Sequence, residues 1–98
     1  MLYVVLGYDG SDADAPARRA MARPAHLEAL RPLKEAGIVT CAGALLDDTG
    51  ERVIGSMLVL DYPSEAVLRA EFLAKEPYVI HGVWEKITIH PFRPPSDL

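Results

Sequence analysis

Two apolar segments joined by a short polar stretch constrain the fold of this chain more than any other feature. Residues 38–46 and 53–61 are largely apolar, and Asp47-Asp48-Thr49-Gly50-Glu51 between them is typical of a hairpin connection. Both segments are short and bounded by turn-forming residues, which favours strands over helices. The sequence therefore predicts two antiparallel strands in the middle of the chain.

A helix and a further strand are predicted on each side of this hairpin. Residues 2–8 are β-favouring, and residues 83–90 alternate until Pro91 ends the run, so both segments are predicted strands. Residues 16–36 are rich in Ala, Leu, Arg and Glu, and Gly37 follows as a stop signal. Pro24 predicts a break or kink near Arg23, and Pro32 predicts a bend.

The second helix is predicted from its first turn. Pro63-Ser64-Glu65 offers an N-cap candidate and an acidic residue, and an Ala/Leu/Phe pattern continues to Ala74. The resulting order, β-α-β-β-α-β, is that of a ferredoxin-like α+β fold with both helices on one face of an antiparallel sheet. At 98 residues, the chain is expected to form one domain over residues 1–98.

The second face of the predicted sheet is also apolar. Residues 2–6 and 53–60 carry apolar side chains at both odd and even positions, so both faces of these strands need cover. The two helices can cover only one face. We therefore expect a homodimer in which two copies pack sheet against sheet.

The charge and the polar composition limit the possible partners. The net charge is −4 and the pI is near 5.2, which argues against a nucleic-acid partner. No apolar run approaches the roughly 20 residues of a membrane span, and residues 57–60 are stopped by Asp61, so no membrane span is expected. The single Cys41 forms no internal disulfide, which favours the cytoplasm, and its apolar surroundings predict a buried packing residue.

The position of His26 in the first helix points to a polar pocket. At about 100° per residue, Leu30 and Leu33 lie within about 40° of His26, so the imidazole is predicted to face the sheet. Arg23 lies about 60° away on the same face. A buried histidine satisfied by a backbone carbonyl is one interpretation. The other interpretation is that His26 and Arg23 both point inward and line a ligand pocket.

An imidazole that transfers protons needs a carboxylate on its other nitrogen. Glu35 lies about 180° around the helix from His26 and is predicted to face solvent. Glu76 precedes Pro77 in the connection to the last strand, where functional groups are often presented. Glu76 is therefore the preferred partner, and an exposed loop acid is the alternative.

The remaining polar residues match no known metal, nucleotide or nucleophile motif. His81 and His90 are nine residues apart, which is not a zinc spacing, and Gly7-Tyr8-Asp9-Gly10 lacks a phosphate-binding fingerprint. Ser56 has no nucleophile-elbow context and is expected to line a pocket or to pack within the sheet. We therefore expect neither a metal ion nor an organic cofactor.

Several segments in order resemble the YciI-like (YCII-related) family over almost the whole chain. They are Met1-Leu2-Tyr3-Val4-Val5, Arg23-Pro24-Ala25-His26-Leu27, Gly37, Ala42-Gly43, Gly55-Ser56, Glu76-Pro77-Tyr78-Val79, Gly82-Val83 and Pro91-Phe92. The resemblance implies a dimeric ferredoxin-like protein of the muconolactone-isomerase type. It also implies an active site centred on a histidine and an aspartate, and a few relatives eliminate hydrogen chloride from chlorinated aromatics.

Carried over to this chain, the resemblance identifies the histidine as His26. The family aspartate occurs either in a D-P-Y segment or two residues before the helix-ending glycine, and this chain has Glu76 and Glu35 at those places. Both candidates thus keep the charge and add one methylene. The chain either retains a His–carboxylate pair or keeps the fold without the chemistry.

Two classes of function follow from these residues. The first is a small cofactor-independent lyase or isomerase in which His26 and Glu76 perform acid–base chemistry on a cyclic or carboxylated metabolite. Arg23 would hold an anionic group of that substrate, and Ser56 and Tyr78 would also contact it. The second is a non-catalytic dimeric module that binds a small ligand or has a structural role.

Overall fold

A four-stranded antiparallel sheet forms the centre of the computed structural model, which describes residues 1–98. The elements are β1 (Leu2–Asp9), α1 (Ala15–Glu35), β2 (Val39–Leu46), β3 (Val53–Asp61), α2 (Glu65–Glu71), a 3-10 turn (Leu73–Lys75), α3 (Pro77–Ile80) and β4 (Trp84–Phe92). The strands lie in the order β2-β3-β1-β4, and every neighbouring pair is antiparallel. This arrangement confirms the predicted ferredoxin-like α+β fold.

The core lies between the helices and one face of the sheet, which we call the inner face. Tyr3 pairs with Leu60 and Val5 pairs with Leu58 across β1 and β3, and these side chains are almost fully buried. They belong to one apolar cluster with Leu30 from α1 and with residues of α2 and α3. The inner face therefore anchors every helix of the chain and fixes their positions relative to the strands.

The opposite face of the sheet, which we call the outer face, is apolar and carries no helix. Val4 pairs with Val59 and Leu6 pairs with Met57, so these side chains alternate with the core residues and point away from the helices. Val4, Leu6 and Met57 are half-buried. Cys41, paired with Val59, is exposed on this face. The prediction that Cys41 is buried is wrong, because β2 is an edge strand and nothing in the chain covers it there.

The predicted break near Arg23 is wrong, because α1 runs without interruption from Ala15 to Glu35. Pro24 has no N–H to donate to the carbonyl of Ala20, and Pro32 has none for the carbonyl of Glu28. All four of these residues are exposed, so the freed carbonyls face solvent. Because water can hydrogen-bond to these carbonyls on the exposed side of α1, the helix continues past both prolines.

The connection to the last strand differs from the prediction in two ways. The second helix ends at Glu71 rather than Ala74, and it is followed by a 3-10 turn and the four-residue helix α3. Ser64 caps α2 as predicted, because its side chain accepts a hydrogen bond from the backbone N–H of Val67. Pro91 does not end β4, since it pairs with Tyr3 at the edge of the sheet, where its missing N–H breaks no ladder bond.

Replacement of Gly7 tests the close contact between β1 and the ring of Trp84. A Cβ at Gly7 would overlap the Trp84 indole, whereas a Cβ at Gly43 meets no atom within 4 Å. We expect Gly7→Ala to lower the free energy of unfolding by about 2 kcal/mol or more, because the ring must move within a packed core. Gly43→Ala should leave it unchanged or raise it by roughly 0.5 kcal/mol. Urea unfolding measures both, and equal stabilities would contradict the contact.

Candidate functional site

A buried histidine and a buried glutamate meet beneath the inner face of the sheet. The His26 side chain on α1 is 9% exposed, and the Glu76 side chain before α3 is 1% exposed. Nδ1 of His26 is hydrogen-bonded to Oε1 of Glu76. Because a carboxylate only accepts hydrogen bonds, Nδ1 carries the hydrogen, and Nε2 of the neutral ring keeps its lone pair.

The Glu76 carboxylate is held in place by the start of α3. Glu76 is the N-cap of this short helix, and its Oε1 also accepts a hydrogen bond of 3.1 Å from the backbone N–H of Tyr78. Pro77 follows at the first helical position, where a missing N–H breaks no hydrogen bond. The segment Glu76-Pro77-Tyr78 therefore sets the position of the carboxylate through local backbone structure.

Aromatic rings fix the plane of the imidazole. The His26 and Tyr78 rings are stacked with centroids 3.9 Å apart and an angle of 13°. The Trp84 indole lies edge-on to both, with centroids 6.2 Å from His26 and 5.6 Å from Tyr78. Burial raises the pKa of the Tyr78 phenol above its ordinary value of 10.0, so this group stays protonated at neutral pH.

The free nitrogen of the imidazole faces open space. Nε2 of His26 has no hydrogen-bond partner in the protein. Because every fully buried side-chain nitrogen or oxygen does have a partner, Nε2 cannot be fully buried. His26 also lines a cavity of about 250 Å³, together with Ser56, Leu58 and Tyr78. A small ligand in this cavity would contact the His26 residue, whose Nε2 has no partner within the protein.

A second polar cluster adjoins the His26–Glu76 pair. The Arg19 guanidinium donates from Nη1 to both Asp9 oxygens at 3.0 and 3.1 Å, and from Nη2 to Ser56 Oγ at 2.9 Å. Its central carbon lies 4.7 Å from the centroid of the Tyr78 ring. The Asp9 carboxylate is only 7% exposed. These contacts hold a positive charge at the wall of the cavity.

Arg19 and Asp9 are not among the site residues predicted from the sequence. Arg19 precedes His26 by seven residues, or about two helical turns, so the spacing alone places both on one face of α1. Asp9 ends β1, where a carboxylate at a strand end is a common site residue. The spacing of Arg19 and His26 was therefore visible in the sequence. The break predicted at Pro24, between these two residues, prevented its use.

The other predicted site residues occupy different surroundings. Ser56 and Tyr78 are buried and line the small cavity. Arg23 is exposed rather than inward-facing, and it lines both this cavity and an adjoining cleft of about 690 Å³ that Arg19 shares. The offset of about 60° from His26 places Arg23 at the margin of the buried helix face rather than within it. Glu35 is exposed, and the carboxylate that pairs with His26 is that of Glu76.

Two further observations concern the chain as a whole. No three His, Cys, Asp or Glu side chains lie close enough together to hold a metal ion. No helix combines the length and the apolar character that crossing a bilayer requires.

Comparison with known proteins places the chain among relatives of similar length. It is 33% identical to Protein YciI from Escherichia coli O6:H1 and equally to Protein YciI from Shigella flexneri, over 95% of this chain and 97% of each relative.

A solved structure shares the fold. It is 5-chloro-2-hydroxyhydroquinone dehydrochlorinase (TftG) from Burkholderia phenoliruptrix AC1100 in complex with 2,5-dihydroxybenzoquinone, with a TM-score of 0.81 and 20% identity. The match covers 99% of this chain and 98% of that chain. The model of the YCII-related domain matches residues 1–93. The chain therefore belongs to the YCII-related family, as the resemblance of its sequence segments predicts.

Proposed function

We propose that this protein is a small enzyme, a lyase or an isomerase, that uses His26 and Glu76 for general acid–base chemistry on a cyclic or carboxylated metabolite. One observation carries the proposal. The buried imidazole has Nδ1 bonded to a carboxylate, while Nε2 is without a partner beside a cavity. This is the arrangement that a general base needs, with one nitrogen oriented and the other available.

The reaction begins with proton transfer to Nε2 of His26. The base takes a proton from a carbon of the substrate, and the electron pair of that C–H bond forms a new double bond. In an isomerisation an existing double bond of the substrate gives its π electrons to another atom, and the imidazolium returns the proton to that atom. In an elimination a leaving group departs with its own electron pair. The Glu76 carboxylate lies against the imidazolium formed in either case and offsets its charge.

The size and charge of the site support a small, anionic or oxygen-rich ring as substrate. A cavity of about 250 Å³ suits a molecule of roughly one ring, and the larger cleft beside it is lined by Arg19 and Arg23. Arg23 has no ion-pair partner among the salt bridges, so its guanidinium is free to bind an anionic group. A substituted ring is also what the structural neighbour binds, by its title.

We also propose that the functional unit is a homodimer formed through the outer face. That face carries half-buried Val4, Leu6 and Met57 at the centre of the sheet, and no element of the chain packs on it. A second copy presents the same apolar surface, so a two-fold axis through the sheets would cover both. Exposed apolar patches of this kind commonly mark interaction surfaces.

We also propose a cytoplasmic location for this protein. The lone Cys41 is a free thiol, and an unpaired thiol suits a compartment that keeps thiols reduced.

The role of His26 can be tested without knowledge of the natural substrate. A panel of cyclic monoketones and lactones is incubated with the protein in D₂O, and the carbon-bound deuterium formed above the protein-free rate is measured by NMR. We expect exchange of at least one compound, with the rate lowered about 10²- to 10⁴-fold in His26→Gln. His81→Gln is the matched control, since His81 is exposed at the end of α3, away from the outer face. Equal rates in wild type and His26→Gln would refute the catalytic role and favour the binding-module alternative.

The structural role of Glu76 predicts a graded loss of stability. Glu76→Ala leaves two buried donors without an acceptor, the Nδ1–H of His26 and the N–H of Tyr78, and should cost about 2–5 kcal/mol. Glu76→Gln keeps an acceptor oxygen and should cost less than half as much, while it slows deuterium exchange. The exposed Glu35→Ala is the control, expected within about 0.5 kcal/mol of wild type. Urea unfolding decides, and equal losses for Ala at both positions would contradict the pairing.

The dimer predicts a specific response to charge on the outer face. Val4→Glu places a carboxylate at the centre of the proposed interface and should raise the dissociation constant by about 100-fold or more. Ile80→Glu is the control, because Ile80 is 61% exposed on α3, away from that face. Sedimentation equilibrium measures both variants. A monomeric wild type, or a Val4→Glu variant that dimerises normally, would count against this interface.

A further inference from the structure

We propose that the Ser56 hydroxyl donates a hydrogen bond into the cavity, and that the substrate presents a carbonyl oxygen there that becomes anionic in the reaction. The reaction in this inference is that of the proposed function. The direction of the hydroxyl is inferred separately, from the hydrogen bonds of Ser56. It narrows the substrate class to small ring compounds with a C–H bond next to a carbonyl group.

The direction of the Ser56 hydroxyl follows from the partners it already has. Its Oγ accepts one hydrogen bond from Arg19 Nη2 at 2.9 Å and a second from Trp84 Nε1 at 3.2 Å. A guanidinium and an indole N–H can only donate, and a hydroxyl oxygen has two lone pairs. Both lone pairs are therefore occupied, and the hydroxyl proton must point to a third group.

The two bonds that Ser56 Oγ accepts are its only hydrogen bonds, so neither a side chain nor a backbone carbonyl accepts this proton. Both oxygens of the neighbouring Asp9 receive Nη1 of Arg19, and neither is bonded to Ser56. The Ser56 residue is 3% exposed, and it lines the same cavity as His26. The remaining direction for the proton is the cavity, where a ligand oxygen can accept it.

Arg19 makes Ser56 a stronger donor than an ordinary serine. The guanidinium withdraws electron density through its own hydrogen bond to Oγ, and charge-assisted hydrogen bonds are stronger than neutral ones. Arg19 is fixed in turn by two bonds to Asp9 and by its contact with the Tyr78 ring. Arg19 is thus a positioning residue for Ser56, and its charge lies on the side where an oxyanion would develop.

The cluster also selects against other ligand groups at this point. Ser56, Arg19 and Trp84 together offer only donors, because the guanidinium and the indole have no acceptor and both lone pairs of Ser56 Oγ are used. A ligand amine or ammonium group would meet hydrogen atoms rather than lone pairs. A carbonyl oxygen, in contrast, accepts the Ser56 proton at once.

The reaction step places the developing charge beside this donor. When Nε2 of His26 takes the proton from the carbon next to the carbonyl, the C–H electron pair forms a carbon–carbon double bond. The π electrons of the carbonyl move onto its oxygen, which becomes an enolate oxyanion. A fixed, polarised donor stabilises that charge more than it stabilises the neutral carbonyl.

The experiment uses 4-oxocyclohexane-1-carboxylate labelled with ¹³C at its ketone carbon as the probe, because this ketone stays neutral in water. At saturation, we expect the carbonyl resonance to move downfield in the wild type, because a hydrogen bond polarises the carbonyl. In Ser56→Ala that movement should be lost, and the dissociation constant should rise about 10- to 100-fold. The saturated shift does not depend on affinity, so it reports the hydrogen bond itself.

Two further variants separate a ligand contact from a merely structural role. Ser56→Thr keeps a hydroxyl and should retain the downfield shift, while Ser96→Ala, in the exposed tail, should match the wild type in every readout. Arg19→Lys, which cannot reach Asp9 and Ser56 with the same fork, should reduce the shift. Near-ultraviolet circular dichroism identifies any variant that fails to fold, and Arg19→Lys then replaces it in the comparison.

The outcomes for this inference and for the proposed function are distinct. A wild type that binds the probe with the shift, but exchanges no deuterium, would sink the acid–base proposal and leave the Ser56 assignment standing. An unchanged shift in folded Ser56→Ala, or no binding of the probe to the wild type, would overturn the Ser56 assignment while His26-dependent exchange could persist.

Discussion

The hydrogen bond between the His26 and Glu76 side chains is the contact on which the site depends. It joins the middle of the long first helix to the short connection before the last strand, two segments fifty residues apart. Two buried polar groups are costly unless each satisfies the other, so the packing around them must keep both in register. The stacked Tyr78 ring and the backbone N–H of Tyr78 come from the same segment as Glu76, and they secure both partners at once.

The fold could be predicted from the sequence because its signals are local and repeated. Strand segments, the hairpin and the Ser64 cap follow from apolar patterning and turn chemistry, and the structure agrees with each. The prolines of α1 misled, because their cost depends on whether the freed carbonyls meet solvent, which is a tertiary property. The four-residue helix α3 escaped prediction because it is too short for any periodic pattern, and Glu76 and Pro77 fix it instead.

The site was less accessible to prediction than the fold. His26 and Glu76 could be paired as a hypothesis from helix angles and from the place of loops, and the structure brings them together. The Arg19–Asp9–Ser56 cluster required knowledge of where the end of β1 lies relative to α1, which no pattern within either element encodes. Arg23 lies on the rim and not inside, because an offset of about 60° from His26 reaches only the margin of the buried helix face.

The close fit of the Trp84 indole over Gly7 has a practical consequence. Trp84 is the single tryptophan of the chain, it is almost fully buried, and it touches the site through Ser56 and through the edges of two rings. Its intrinsic fluorescence therefore comes from one place, a few ångströms from the cavity wall. The protein carries an internal optical reporter, with which occupancy of the cavity can be followed in real time without any added label.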